Sequence, residues 1–287
     1  MKRVSRAAAV LARCFPDAEI SGLRKLAEGW DNTIWEAGGF LYRVPKRKTV
    51  SDQARKEALL LEFLAGHGLP VPRPARVHSG DAGFGRVVIG YRKIPGTSLS
   101  ELAPDEHPQS IYRDLGLFLG RLHSLGAEGA ASAGLPVFTP DKWRDRYRRL
   151  SGRVRKEVLP IVPAAAPWLK ARFDDFLNDR GSFAFHPAII HGDLAMEHVI
   201  VDGGSLSGVV DFADACVGDP ALDFAGMSPR VAPLVLEHYR TACGQDRTLL
   251  SRAGFYRAIS PCYALLYPDA AGTREIRRAV ELLNEPA

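Results

Sequence analysis

Cysteine, methionine and long apolar runs are all scarce in these 287 residues, which contain four cysteines and three methionines. Cys14, Cys216, Cys243 and Cys262 have neither framework nor metal-ligand spacing. That excludes a disulfide scaffold and a zinc-ribbon centre, and free thiols in a reducing compartment are expected. No run approaches the ~20 apolar residues of a membrane span. The opening MKRVSRAAAVLARCF resembles a signal peptide, but its uncharged stretch from Ala7 to Ala12 is short and Arg13 closes it. An amphipathic first helix is expected instead, with a cytoplasmic location and no membrane partner.

What is present is ordinary globular composition, 46% hydrophobic and 25% charged, enough for a large core or two lobes and outside the disordered and collagenous classes. The net charge of +5 taken whole suggests a nucleic-acid or membrane-surface partner. Located along the chain, it changes meaning. Residues 1–140 carry +5, residues 141–156 carry +6 and residues 157–287 carry −6. Ala188 to Gly226 holds seven carboxylates and no Lys or Arg. A concentrated acidic stretch in a basic chain points to a site for cations, either metal ions or a positively charged substrate.

The first ninety residues read as a small sheet with one helix. Strand patterns run Leu23 to Glu28, Asn32 to Ala37, Phe40 to Val44 and Arg86 to Tyr91, punctuated by Gly29 and Gly38-Gly39. Ser51 to Ala65 is a helix, with Ser51 as its cap. Glu57 falls on its apolar stripe of Ala54, Ala58, Leu61 and Ala65, and a carboxylate there needs a cationic partner. Arg43, which interrupts the strand FLYRV, is the natural choice, and Lys46 is the alternative. Beyond Tyr91 the chain is mostly helical, beginning with Ile111, Leu115, Phe118, Leu119 and Leu122 at helical spacing. One β-hairpin stands apart, VIVDGGSLSGVVDF, alternating about Gly203-Gly204. Folding it there pairs positions whose numbers sum to roughly 407. Asp211 therefore returns to Met196, Glu197 and His198, and His191, Asp193, His198 and Asp211 are expected in one pocket.

Asp193 follows the strand-like Ala188-Ile189-Ile190 inside HGDLAMEH. A loop carboxylate there has the reach to orient a hydroxyl proton. Asp211 and His198 offer hard and borderline ligands to a divalent cation. Taken singly, these residues are better explained structurally, His191 and Asp193 as turn caps and Asp211 as a strand end. Asp219 before Pro220 fits an N-cap with proline at the first helical position.

Together these segments resemble the aminoglycoside phosphotransferase family, a branch of the protein-kinase-like fold, over nearly the whole chain. HGDLAMEH looks like its catalytic loop, which implies Asp193 as the catalytic carboxylate. His198 stands where that loop usually has a metal-binding Asn, a departure similar to the 2''-aminoglycoside and macrolide branches. Asp211-Phe212-Ala213 resembles the metal loop, 18 residues after Asp193, implying Asp211 as a magnesium ligand. GDPALDF looks like the following motif, implying that Asp219 and Asp223 support the loop, Asp223 by way of His191. By the same resemblance, Arg43 and Glu57 form the ion pair that holds the nucleotide phosphates. AEGWDNT resembles the family's short phosphate loop, which implies that Gly29 and Asn32 or Thr33 approach the phosphates. VVIGYRKIPGTSL resembles its hinge, which implies that the backbone near Arg92 and Ile94 meets the base and that Tyr91 narrows its pocket.

The expected fold is therefore α+β and bilobal. A small antiparallel-sheet lobe with one helix spans 1–93, and a larger, mainly helical catalytic lobe spans 94–287. The expected reaction transfers the γ-phosphoryl group of ATP or GTP, with Mg²⁺, to a hydroxyl of an aminoglycoside antibiotic. Asp193, Asp214, Glu237 and Asp269 are the acids expected to face a polycationic acceptor. A macrolide or hydroxylated-metabolite kinase, a nucleotide-binding pseudokinase and a metallohydrolase built on the His/Asp cluster are the alternatives. The basic block from Asp141 to Lys156 keeps a nucleic-acid reading open through Arg144, Arg148, Arg155, Trp143 and Tyr147. A solvated helix, with Asp141 and Asp145 paired to arginines three and four residues on, ranks ahead of it. No nucleic-acid partner is expected, and the expected state is a monomer or weak dimer.

Overall fold

The computed structural model describes residues 2–29, 32–47, 51–80, 85–103, 106–241, 244, 246–269 and 271–285. Cys243 and the Trp30-Asp31 pair of the phosphate-loop segment lie outside them; Cys14, Cys216 and Cys262 are buried free thiols. The strands are β1 (Arg24–Glu28), β2 (Asn32–Ala37), β3 (Phe40–Pro45), β4 (Pro74–His78), β5 (Val88–Arg92), β6 (Thr97–Ser98), β7 (Ala188–Ile190), β8 (Val199–Asp202), β9 (Ser205–Val209) and β10 (Cys216–Gly218). The helices are α1 (Lys2–Cys14), α2 (Ser51–Gly66), α3 (Gln109–His123), α4 (Ala127–Ser132), α5 (Pro140–Arg153), α6 (Ala166–Asn178), α7 (Val231–Leu236), α8 (Leu249–Ile259), α9 (Pro261–Leu266) and α10 (Thr273–Asn284). The chain forms two compact units, each assembled from separated stretches. One comprises Met1–Asp114, Glu128–Leu135 and Glu197–Ala215; the other comprises Leu115–Ala127, Pro136–Met196 and Cys216–Ala287.

In the first unit β1-β2-β3-β5-β4 form a five-stranded antiparallel sheet. Strand alternation sends Trp35, Ala37, Tyr42 and Val88 to one face, where they pack with Ala7, Leu11, Cys14 and Phe15 of α1 and the turn after it. On the other face Val87, Ile89 and the half-buried Tyr91 meet Ala54 and Ala58 of α2. Arg43 follows Tyr42 in β3, so the same alternation turns its side chain away from α1. Four strands were expected, and β4 is the fifth. The Ser51 hydroxyl, expected to cap α2, instead accepts the Val87 N–H at 3.1 Å, which ties the helix start to the sheet.

The hairpin β8-β9 pairs Val199 with Val209 and Asp202 with Ser205 across Gly203 and Gly204. Their φ values of 55° and 79° are those of a type I′ turn, which glycine adopts without strain. Its sequence position is late, yet it belongs to the first unit, where β6 adds a third strand. In the second unit β7 and β10 form a two-stranded ladder, Ile190 opposite Cys216, a second sheet in the region expected to be helical apart from the hairpin.

Helix α5 places in the core the two aromatic residues on which the nucleic-acid alternative drew. Trp143 and Tyr147 are buried and donate nothing to the surface; the Trp143 indole N–H bonds the Tyr256 hydroxyl at 2.8 Å. Their aromatic faces are core, so base stacking has no platform here. Of the charges, Arg148 pairs with Asp145, Arg144 donates to the Leu177 carbonyl and Arg155 meets Asp174.

Candidate active site

In the first unit Arg43 is 6% exposed and lies between two carboxylates. Its Nη1 donates to Glu57 Oε1 at 2.6 Å and its Nη2 to Asp211 Oδ1 at 2.8 Å. With its amide oriented to satisfy both neighbours, the Asn32 side-chain oxygen accepts from Arg43 Nε and Nη2 at 2.9 and 3.1 Å. A guanidinium can serve three acceptors at once because its donors diverge in a plane, which an ammonium cannot match. Lys46, the alternative partner for Glu57, pairs instead with Glu28 at 3.1 Å.

Burial pushes the Glu57 carboxyl up, to about 7; Arg43 opposes that shift and Asp211 adds to it. Burial also works against the Arg43 charge, but Glu57 and Asp211 outweigh it and hold the guanidinium above its ordinary value. Tyr91 is raised to about 12, chiefly by burial. The Phe212 backbone amide, like Arg43, acts to lower the Glu57 value. Asp211 itself has φ 67°, the single left-handed residue other than glycine among those described. A non-glycine residue keeps that conformation where its surroundings fix it. Its side chain is 44% exposed, and the neighbouring Val210 N–H bonds the His198 carbonyl at 2.9 Å.

In the second unit β7 ends at Ile190, and the chain turns through His191 and Gly192 to present Asp193 exposed. The loop is fixed through its backbone. Asp223 Oδ2 accepts the His191 N–H at 2.8 Å and its Oδ1 accepts the Gly192 N–H at 2.9 Å. His123 Nε2 donates to the same carboxylate at 3.0 Å, while its Nδ1 meets the Tyr239 hydroxyl at 2.9 Å. The His191 Nδ1 receives the Asp193 N–H at 3.3 Å. Burial raises Asp223, but the His123 bond, the His123 and His191 rings and the Gly192 amide prevail, and its pKa lies below the usual aspartate value. A Cβ at Gly226 would stand 2.1 Å from the Leu194 carbonyl oxygen, so only glycine lets this turn lie against the loop.

Asp219 caps the turn Pro220–Phe224 through the Ala221 N–H at 3.0 Å. It also takes two bonds from Arg252, at 2.7 and 2.8 Å, and the Tyr256 hydroxyl at 2.6 Å. Arg252 continues to Asp246 at 2.6 Å. The two acids of GDPALDF thus have separate tasks: Asp219 anchors the turn to α8, and Asp223 anchors the loop to the turn.

The remaining sequence-read positions lie as follows. The Gly29 N–H closes the β1-β2 turn on the Asn32 carbonyl at 3.0 Å, and Thr33 pairs with Glu28 and Val44. Arg92 pairs with Phe40 and stacks on its ring at 5.2 Å, while Ile94 lies against Gly208. Asp214, Glu237 and Asp269 are exposed. Gln53, His123, Tyr239 and Arg252 were not singled out from sequence. For His123 a signal existed: it sits four residues after Leu119 on the buried stripe of α3, where a titratable group needs a partner.

Asp211 offers a half-exposed carboxylate oxygen, the donor that magnesium favours when it shares its shell with water and phosphate. The His198 imidazole is a softer ligand, better matched to zinc than to magnesium. Among the described residues no group of three His, Cys, Asp or Glu side chains is placed to hold a metal ion. None of the described helices is long and apolar enough to cross a membrane.

Comparison with known proteins places this geometry. The profile of the phosphotransferase enzyme family matches residues 22–253. A homoserine kinase of Beijerinckia indica subsp. indica is 29% identical over 211 residues, covering 71% of this chain and 62% of that protein's own length. The viomycin phosphotransferase of Streptomyces vinaceus is 25% identical over 275 residues, 93% of each chain. Among solved structures, the GDP and kanamycin complex of APH(2")-IIIa superimposes with a TM-score of 0.85 at 25% identity, covering 97% of both chains.

Proposed function

The chain belongs to the phosphotransferase enzyme family, and we propose that it transfers the γ-phosphoryl group of ATP or GTP to a hydroxyl of an aminoglycoside-like cationic antibiotic. The observation that carries the reading is the Arg43 guanidinium held between Glu57 and Asp211. Such a transfer runs through a loose transition state, in which positioning and charge neutralisation matter more than proton abstraction. Arg43 is the cation for the nucleotide phosphates, and Glu57 keeps it in place. Asp211, with His198 beside it in sequence register, would hold Mg²⁺, which when bound neutralises phosphate charge. Gly29, Asn32 and Thr33 form the turn over the phosphates, and the backbone at Arg92 and Ile94, with Tyr91 before them, receives the base. Asp193 accepts and aligns the acceptor hydroxyl on a loop that His191, Asp219 and Asp223 support.

For the acceptor, the full-length correspondence with a viomycin phosphotransferase and with a kanamycin complex supports an antibiotic. The −6 charge of residues 157–287 supports a cationic one, with Asp214, Glu237 and Asp269 as acids available at the surface. The homoserine kinases make homoserine the second acceptor to examine. The test incubates the chain with ATP or GTP and Mg²⁺ against kanamycin, viomycin, a macrolide and homoserine, read by mass for one added phosphate. Phosphorylation of homoserine alone would overturn the antibiotic assignment.

Arg43→Lys tests the nucleotide side. The ammonium keeps the charge but loses the fork, so at least one charge-assisted bond of the buried set disappears. Nucleotide affinity is expected to fall about tenfold or more by titration calorimetry. Unchanged affinity would remove Arg43 from the phosphate site.

A further inference from the structure

The metal loop is held from one side by a residue of α2. Gln53 precedes Glu57 by one turn of α2 and is half-buried. Its Nε2 donates to the Ala213 carbonyl at 2.7 Å. Gln53 thus ties α2 to the loop at one carbonyl, and the Phe212 side chain just before it is buried. Residues four apart on a helix present side by side, so Gln53 reaches the loop beside Glu57, whose partner Arg43 holds Asp211.

Immediately before this gripped segment stands Asp211, in its left-handed conformation. Asp tolerates that region better than most residues, but the conformation still costs energy and persists only where neighbouring groups are fixed. Arg43 fixes the Asp211 carboxylate at one oxygen. Gln53 fixes the backbone that follows it at the Ala213 carbonyl. If that carbonyl were released, the Ala213–Asp214 peptide plane would lose this restraint, and with it the backbone that leads back through Phe212 to Asp211.

We propose that Gln53 is a positioning residue for Asp211: its hydrogen bond to the Ala213 carbonyl sets the direction in which the Asp211 carboxylate meets the metal that accompanies the nucleotide. The proposal rests on the reading of Asp211 as that metal's ligand. Gln53 touches neither substrate nor metal, and its effect passes through the loop backbone. A half-buried neutral bond contributes little to global stability, so its loss leaves the fold in place and shows itself in metal use.

The test compares nucleotide affinity of the full chain with and without Mg²⁺, for the parent and for Gln53→Met, which keeps the side-chain length and removes the donor. Gln53→Ala serves as a second variant, and thermal melts verify that each is folded. The metal-dependent gain in affinity is expected to fall about fivefold in both variants, the effect of one hydrogen bond, while affinity without metal stays at the parent value. Titration of Mn²⁺ with the nucleotide present, followed by its paramagnetic signal, should show the same weakening. A parent chain whose nucleotide affinity ignores the metal overturns the Asp211 reading itself. A parent gain that Gln53→Met and Gln53→Ala retain in full overturns the role of Gln53 alone. Equal losses with and without metal reduce Gln53 to a structural tether and also overturn it.

Discussion

Asp193→Ala is expected to lose phosphoryl transfer by about three orders of magnitude while binding nucleotide as the parent does. A positioned carboxylate that accepts or orients a proton contributes roughly 10² to 10⁴ in rate. Asp193 is exposed on a loop whose shape is set by backbone bonds to Asp223. Truncating an exposed side chain there should leave the loop standing and stability nearly unchanged. Asp193→Asn separates two contributions, since the amide retains the shape and one acceptor oxygen but not the charge. Its rate should fall between parent and alanine variant. Single-turnover assays with saturating nucleotide check both, alongside calorimetric nucleotide binding. Turnover retained in Asp193→Ala would remove the residue from the chemistry.

Asp223→Ala carries the second large effect, and it should strike stability and rate together. The carboxylate is fully buried and satisfies two consecutive amides and the His123 ring. Removing it leaves those buried donors without an acceptor, each costing about 1–3 kcal/mol. A total near 3–5 kcal/mol corresponds to a fall in melting temperature of about 10 °C or more. The rate should fall as well, because the amides of His191 and Gly192 set where Asp193 points. Asp223→Asn keeps one acceptor and should lose less on both counts. The pH dependence has a definite sign. Because the native environment holds the Asp223 pKa below its ordinary value, the carboxylate stabilises the fold above about pH 4, the range where an unfolded aspartate ionises. That contribution is lost as pH falls further through the native value. The melting difference between parent and Asp223→Asn should therefore be full at pH 7 and shrink on acidification; a difference that stays constant down to pH 3 would contradict it.

How far the sequence could be read depended on which contacts leave a trace in residue pattern. Glu57 betrayed itself by standing on an apolar stripe, and Arg43 by breaking a strand, so their pairing could be inferred before any coordinates. The hairpin β8-β9 was equally legible, because two adjacent glycines fix its turn and hence its register. Strand β4 was not. Its segment carries Pro72 and Pro74, which argue against a central strand, and it forms at the sheet edge, where a missing N–H faces no neighbour. Trp143 and Tyr147 lie among arginines in sequence and read as surface, yet helical spacing turns them inward while the charges turn out. Gln53 left no mark, since a neutral amide on a half-exposed helix position is unremarkable until the loop that it holds is in view. The same is true of Arg252, whose partners Asp219 and Asp246 lie 33 and 6 residues away.

The hairpin that completes the first unit arrives late on the chain, and synthesis must contend with that order. When the N-terminal sheet leaves the ribosome, Arg43 and Glu57 can already meet, being 14 residues apart. Asp211, the second carboxylate on the same guanidinium, is 168 residues from Arg43. Until residues 197–215 emerge, the nascent first unit lacks part of its own fabric, including β8 and β9 and the strand partner of β6. Closing so distant a contact is slow relative to local pairing. The vulnerable interval in producing this protein is therefore the passage of residues 115–196 through the ribosome, when a half-built sheet waits with its late strands missing. Truncated chains ending before residue 197 should be degraded or captured by chaperones far more readily than chains that extend past residue 215.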